Sequence, residues 1–226
     1  MRSLTIKKIK SKIRKIFSFN AFEGSKNNNF RGSENYWKDR YKKGKTSGSG
    51  SYGYLAEFKA EFLNSFVKDH NVQSVIEFGC GDGNQLKYSK YPSYIGFDIS
   101  PESIKRCSDL FMNDKSKRFM LAEKYTNELA ELTLSLDVIF HLTEDEVYHD
   151  YMEKVFNSAT RYVIIYSSNT DEPLMQNQQP HVKHRKFTQW VEKNKPQWKM
   201  SRHIPNKYPF DGTEKTSFSD FYVFEL

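Results

Sequence analysis

Three glycines stand at alternate positions, Gly79, Gly81 and Gly83, behind one acid, Glu77, and around another, Asp82; a third acid, Asp98, lies nineteen residues beyond Gly79. Glycine adopts positive φ without a steric penalty and lets a ligand approach the backbone. An acid about that far past such a turn, at the tip of a second strand, is placed to accept hydrogen bonds from both hydroxyls of a ribose. The residues therefore point to a nucleoside. Dinucleotide sites use G-x-G-x-x-G and rest a pyrophosphate on a helix N-terminus. Here the pattern is E-x-G-x-G-x-G, and the Glu77 carboxylate would repel a phosphate while suiting a cation such as an ammonium group. An NAD-type ligand and a ligand-free tight turn are the competing readings.

A second group of residues can move protons. His141 follows an apolar run, and His181, His184 and Arg185 share a polar segment, 170–186, that is long for a plain connection. Histidine is the side chain best suited to accept a proton near neutral pH, and arginine can take an anion with two parallel hydrogen bonds. The bland readings are a packing role for His141 and a solvated loop for His181 and His184. His141, Asn169 and Asp171 form a mixed donor set without a recognised metal spacing, and His181 with His184 lacks further zinc ligands, so no metal is expected.

Alternating strands and helices must position these groups. Ser74–Phe78 reads as a strand ending at the glycine turn, Asn84–Tyr91 as a short helix, and Tyr94–Phe97 as a strand that delivers Asp98. Ser100 caps a helix with Pro101 at its first position, running to about Phe111. Arg118–Ala122 is a third strand. Leu134–Phe140 is a fourth, with Asp137 inside it and His141 at its carboxyl end. Thr143 and Glu146 form a capping box for a helix carrying Val147, Tyr151 and Val155. Arg161–Tyr166 is the fifth strand, Phe187–Lys193 a short helix, and Trp198–His203 and Ser217–Phe224 two closing strands. Leu55, Phe58, Phe62, Leu63, Phe66 and Val67 form a helical stripe that reads as core. This alternation predicts an α/β, doubly wound parallel sheet with its ligand outside the carboxyl ends of the strands.

The 226 residues suit one domain with an appendage, and an aromatic content of 15% supplies a core. The net charge of +7 is concentrated in the first twenty residues, leaving the remainder formally neutral, which weakens a nucleic-acid reading. Residues 1–20 place Ile6, Ile9, Ile13 and Ile16 on one face of a basic amphipathic helix, suited to an anionic membrane surface or to a partner helix, or simply solvated. Residues 21–53 read as a linker and a Gly/Ser-rich lid, and residues 54–226 as the catalytic domain. In the lid, Tyr36, Trp37 and Tyr41 flank T-S-G-S-G-S; a plain flexible linker is the alternative. Cys80 and Cys107 offer neither a disulfide framework nor a zinc site, in keeping with a reducing cytoplasm. No stretch is apolar enough to span a membrane.

Across YWKDRY, TSGSGSYG, LAEFKAE, VIEFGCGDGNQL, SLDVIFHLTEDE, RYVIIYSSN, HVKHRKFT, IPNKYPF and SFSDFYV, the chain resembles the class I S-adenosylmethionine (SAM) methyltransferases, and among them small bacterial enzymes that accompany surface-polysaccharide (capsule or O-antigen) assembly. The resemblance implies a Rossmann-like, seven-stranded, mostly parallel sheet with an antiparallel last strand and helices on both faces. It implies SAM as cofactor, held by Glu77, Gly79, Cys80, Gly81, Asp82, Gly83, Asp98 and Ile99, with Glu123 against the adenine amino group. The acceptor would be an oxygen of a small molecule or glycan precursor, phosphoramidate- or phosphate-linked groups included, and no nucleic acid. His141 is the first choice of base, followed by His181 and His184; Tyr36, Ser49, Tyr52, Asn169 and Arg185 would contact the acceptor. The site of action would be cytoplasmic, with peripheral inner-membrane contact through residues 1–20. A nucleic-acid methyltransferase and a non-catalytic SAM-binding scaffold are the rival classes. Neither acceptor identity nor oligomeric state follows from the sequence.

Overall fold

The computed structural model describes residues 30–226 apart from 177 and 214. The basic stretch 1–20 and the first part of the expected linker lie outside the described residues. One compact unit runs Arg31–Leu226, so the Gly/Ser-rich segment belongs to the same unit as residues 54–226.

Seven strands form one sheet: β1 (Val75–Phe78), β2 (Tyr94–Asp98), β3 (Lys117–Leu121), β4 (Ala130–Leu136), β5 (Ala159–Ser167), β6 (Lys199–Ile204) and β7 (Asp220–Glu225). Their order is β3-β2-β1-β4-β5-β7-β6. β1 to β5 pair in parallel, and β7 runs antiparallel to both β5 and β6. The helices described are α1 (Ser33–Lys42), α2 (Gly53–Asp69), α3 (Pro101–Leu110), α4 (Asp145–Asn157) and α5 (Phe187–Asn194).

Side chains alternate across a strand, so each central strand feeds two cores. Ile76, Phe78, Val163 and Ile165 point to one face and pack with Met152, Val155 and Phe156 of α4 and Phe187 and Val191 of α5. Val75, Leu132, Leu134 and Ile164 point to the other, against Leu63, Phe66 and Val67 of α2 and Cys107 of α3. Helices on both faces leave the carboxyl ends of β1, β2 and β4 as the place for a ligand.

Three local expectations are corrected. The fourth strand is Ala130–Leu136, four residues earlier than the apolar run suggests, and Asp137 lies beyond it with φ 58°. That left-handed backbone ends the extended chain, and Ile139 and Phe140 are buried from a 3-10 turn, Ile139–His141, instead. Thr143 and Glu146 do not form a capping box: the N-cap of α4 is Glu144, without a side-chain capping bond. The Glu144 carboxylate instead accepts from Ser33 N (2.8 Å) and Ser33 Oγ (2.7 Å), where it serves the N-terminus of α1. After the glycines there is only a 3-10 turn, Gln85–Tyr88. Asn64 of α2 donates to Tyr88 O at 2.9 Å and accepts from Lys90 N at 2.8 Å, which diverts those groups from a helix.

Candidate active site

A cavity of about 280 Å³ opens at the carboxyl ends of β1, β2 and β4, with Glu77, the turn 79–82, Asp98, Ile99, Asp137 and His141 among its walls. The turn is tight because Gly79 and Gly81 have φ 84° and 61°. A Cβ on Gly79 would stand 2.5 Å from Val138 Cγ2, and one on Gly81 would stand 2.5 Å from Ser47 Oγ. Only glycine meets both demands.

The two acids behind the turn are buried and hydrogen-bonded. Asp98 accepts from Gly81 N and Ser100 N, each at 2.9 Å. Burial pushes its carboxyl up to about 6, against those amide bonds, which favour the carboxylate. Glu77 accepts from Tyr94 Oη at 2.6 Å. Burial pushes Glu77 up to about 7, while the Tyr94 hydroxyl and the Lys59 ammonium oppose that rise.

The Gly/Ser-rich segment is fastened to the turn through Asp82. Its Oδ2 accepts from Ser47 N and from Tyr52 Oη, each at 2.8 Å, and its own amide donates to Ser47 Oγ at 3.0 Å. Burial and the Asp82 carboxylate push the Tyr52 phenol up to about 12. Ser47, Ser51, Trp37 and Tyr41 reach the cavity wall. Ser49, the expected contact, is exposed, and Tyr52 is turned to Asp82 instead of lining the cavity.

Of the three histidines, only His141 lines the cavity. Its Nδ1 lies 3.1 Å from His181 O. A carbonyl can only accept, so Nδ1 carries the proton and Nε2 keeps its lone pair. The Trp37 ring meets the imidazole edge-on at 4.8 Å, and the His181 ring stacks at 5.5 Å. Burial depresses the His141 imidazole to about 3, so it is neutral at physiological pH. His181 stacks on Tyr36 at 4.0 Å and is lowered to about 4 by burial and the Arg40 guanidinium. His184 is buried with Nδ1 2.6 Å from Ser168 Oγ, away from the cavity wall.

Other expected contacts are spent elsewhere. The Arg185 guanidinium donates to Leu142 O (2.6 Å), Thr143 O (3.2 Å) and Asp145 Oδ1 (2.8 Å), so its fork pins the start of α4 instead of presenting itself to an anion. Asn169 exchanges hydrogen bonds with Thr188 at 3.1–3.2 Å, at the first turn of α5. Glu123 is exposed, and its neighbour Ala122 lines the cavity in its place. Cys80 lines the cavity as a thiol, pushed up by the adjacent Cys107 thiol and by burial. Sequence reasoning passed over Lys59, Gln85, Asp137 and Tyr151 in this wall. A signal for Lys59 existed: it stands four residues from both Leu55 and Leu63, within the apolar stripe of α2.

Among the described residues there is no cluster of three or more His, Cys, Asp or Glu able to hold a metal ion, and no helix long and apolar enough to cross a membrane.

No family model matches the sequence. A small RNA 2′-O-methyltransferase of Arabidopsis thaliana is 24% identical over 131 residues, which is 50% of this chain and 14% of that protein's length. The methyltransferase domain of the bacterial protein CtHen1 superposes with a TM-score of 0.58 at 20% identity, covering 75% of this chain and 98% of that one. The magnesium protoporphyrin IX methyltransferase ChlM of Synechocystis PCC 6803, solved with bound S-adenosylhomocysteine (SAH), superposes with a TM-score of 0.60 at 13% identity, covering 85% and 97%. With the strand order, the glycine turn and these superpositions together, the chain has the Rossmann-like fold of the class I SAM-dependent methyltransferases.

Proposed function

We propose that the chain binds SAM in the cavity at the carboxyl ends of β1, β2 and β4 and transfers its methyl group to a hydroxyl oxygen of a sugar-containing small molecule or glycan precursor. The observation that carries the reading is His141, fixed through Nδ1 on a backbone carbonyl, in one cavity with Glu77, Asp98 and the glycine turn. Asp98, with each carboxylate oxygen holding one backbone amide, retains lone pairs for the two ribose hydroxyls. Gln85 supplies a buried amide oxygen without a donor in the same wall, which suits a ligand carrying N–H groups. SAM supplies a methyl group activated by its sulfonium, so this chain's residues need only align the acceptor and remove its proton. His141 Nε2 is the group to take that proton.

Trp37, Glu34, Asp150 and Lys154 also line the cavity, an aromatic face with two acids and one lysine, which has no excess of positive charge for a polyanion and suits a hydroxylated ring. Precursors of surface polysaccharide, methylated in the cytoplasm, fit this chemistry, and residues 1–20 could hold the enzyme beside a membrane on which such precursors are assembled. A second reading, a ribose 2′-hydroxyl of RNA, is favoured by the sequence match to a small RNA 2′-O-methyltransferase. Against it stands the charge balance: eight of the 35 lysines and arginines and one of the 28 acids precede residue 30, leaving 27 of each sign in the remainder.

The test is methyl transfer from labelled SAM to nucleotide-linked sugars and to a short single-stranded RNA, after calorimetric titration of SAH into the protein and an Asp98→Ala variant. Binding lost in the variant with label appearing in sugar supports the proposal; label in RNA alone moves it to the second reading. Binding without transfer to either acceptor class favours a scaffold, and NAD binding in place of SAH removes the methyltransferase reading.

A further inference from the structure

The forked cation expected of Arg185 is offered by another arginine. Arg40, in the last turn of α1, is partly buried, and its Nε donates to Thr46 O at 2.6 Å, past the end of the helix. Its guanidinium lies over the Trp37 ring at 5.6 Å, and the same ring meets His141 edge-on at 4.8 Å. Among the described residues neither Nη group of Arg40 has a hydrogen-bond or ion-pair partner. Its charge reaches His141 and His181, where it adds to the burial that depresses both imidazoles.

More positive charge is gathered behind it. Arg40, Lys42, Lys43 and Lys45 fall within a stretch, 40–45, that contains no acid. The three lysines are exposed and form no ion pair among the described residues. Arg106 of α3 donates to Tyr41 O at 2.9 Å and to Lys45 O at 2.7 Å, which holds the stretch in place and adds another cation. The acids nearby are engaged: Glu34 with Lys38 at 2.5 Å, Asp39 with Arg31 at 3.2 Å, and Asp82 with Ser47 and Tyr52. A helix C-terminus favours cations for its own sake, but that accounts for charge alone. An arginine whose plane is fixed by a carbonyl and a ring, with both Nη groups unspent, is a fork prepared for two parallel hydrogen bonds. The charge around it suits a doubly ionised phosphoryl group better than a carboxylate.

We infer that Arg40, supported by Lys42, Lys43 and Lys45, binds a phosphate or diphosphate group of the acceptor and so makes the enzyme selective for sugars carried on phosphate. The inference rests on the methyl-transfer reading above and deepens it: the acceptor is a phosphate-linked sugar, and Arg40, an indole's width from His141, is its specificity residue. One such group needs a single cationic cluster, whereas an RNA strand needs a track of them. The carrier beyond the phosphate is a nucleoside or a lipid, and the chemistry at Arg40 is common to both.

The test uses the full chain, saturated with SAH and titrated calorimetrically with pyrophosphate at constant ionic strength. The wild type is expected to bind with a dissociation constant below about 1 mM. Arg40→Gln should weaken pyrophosphate by about 10- to 100-fold while SAH affinity stays within about three-fold, and the retained SAH binding shows that the variant is folded. Arg40→Lys, which keeps the charge and loses the fork, should not restore the affinity. Where Arg40→Gln does not fold, replacing the exposed Lys42, Lys43 and Lys45 together by Gln decides the matter, with an expected loss of about 5- to 10-fold. Uridine diphosphate and farnesyl diphosphate then separate the carriers: whichever gains affinity over pyrophosphate, in a manner that Arg40→Gln abolishes, supports the site and names its carrier. No pyrophosphate binding, or binding that these variants leave unchanged, overturns the site and leaves the methyltransferase reading standing. A short single-stranded RNA that displaces pyrophosphate and binds at least about 100-fold tighter overturns the sugar assignment in favour of RNA. A wild type that does not bind SAH removes the methyltransferase reading, and the acceptor site with it.

Discussion

Glu77 offers a prediction whose size can be worked from its surroundings. The carboxyl is buried, receives the Tyr94 hydroxyl at 2.6 Å, and titrates at about 7 because burial outweighs the stabilising hydroxyl and Lys59. Asp98 adds a like charge, and the Tyr91 hydroxyl and Cys80 thiol are held protonated beside it. If its ionised form receives a cationic ligand group, only about one molecule in eleven is ready at pH 6, and affinity for SAH should fall about tenfold from its plateau above pH 8, or about 1.4 kcal/mol. Asp98, at about 6, adds a second loss below pH 6. Titration of SAH between pH 5.5 and 8.5 measures both limbs, and near pH 7 binding should release about half a proton, read from the heat in two buffers of different ionisation enthalpy. Glu77→Gln keeps an acceptor for Tyr94 and should flatten the profile above pH 6.5. The same shift has a consequence without ligand. A carboxyl whose folded pKa is raised from 4.5 to about 7 stabilises the fold below pH 4.5 and loses that contribution as pH rises to about 7. Glu77→Gln should therefore raise the melting temperature at pH 8 and leave it nearly unchanged at pH 4.5, the difference being on the order of 3 kcal/mol. An affinity constant from pH 6 to 8, or a wild-type profile surviving in Glu77→Gln, refutes this account.

Removal of the base by His141→Ala should lower kcat by about 10²–10⁴-fold with SAH affinity held within about three-fold. Because burial keeps the His141 imidazole neutral down to about pH 3, its titration should leave no acid limb in the kcat profile above pH 4; an unchanged kcat in the variant rejects the assignment. Gly79→Ala forces a side chain into φ 84° and against Val138, which should cost about 3 kcal/mol and lower the melting temperature by roughly 6–12 °C; an unchanged melt contradicts the turn geometry. Asp82→Ala releases Ser47 N and Tyr52 Oη together, so limited proteolysis between residues 43 and 52 and exchange of the Ser47 amide should quicken, for a loss of about 1–3 kcal/mol; equal rates would show that the segment is held by something else.

Much of the architecture is set by local pattern. β-Branched and aromatic runs place β1, β2 and β5 to within about two residues, and Ser100 with Pro101 fixes the start of α3, because a cap and a strand each depend on neighbours a few residues away. Glu77, the glycines and Asp98 are legible for the same reason: a tight turn needs glycine where φ is positive, whatever surrounds it. The end of β4 is not legible, since the apolar residues 138–140 suit a strand equally well until Asp137 takes a left-handed conformation. The choice among Tyr36, Ser49, Tyr52, Asn169 and Arg185 is likewise hidden, because four of them meet a group far along the chain, as when Asp145 and the Leu142 carbonyl claim Arg185, while Ser49 is exposed. His141 is suited to be a base only through a carbonyl 40 residues away that settles which nitrogen holds the proton. Lys59, Gln85 and Asp137 come from a helix, a turn and a strand end, and only the tertiary structure brings them to one cavity wall, with Lys59 and Gln85 buried and Asp137 partly exposed. Residue type and spacing thus determine the turn that can admit a nucleoside. Burial, which raises the cost of every unpaired charge, determines which side chains must answer to one another around it.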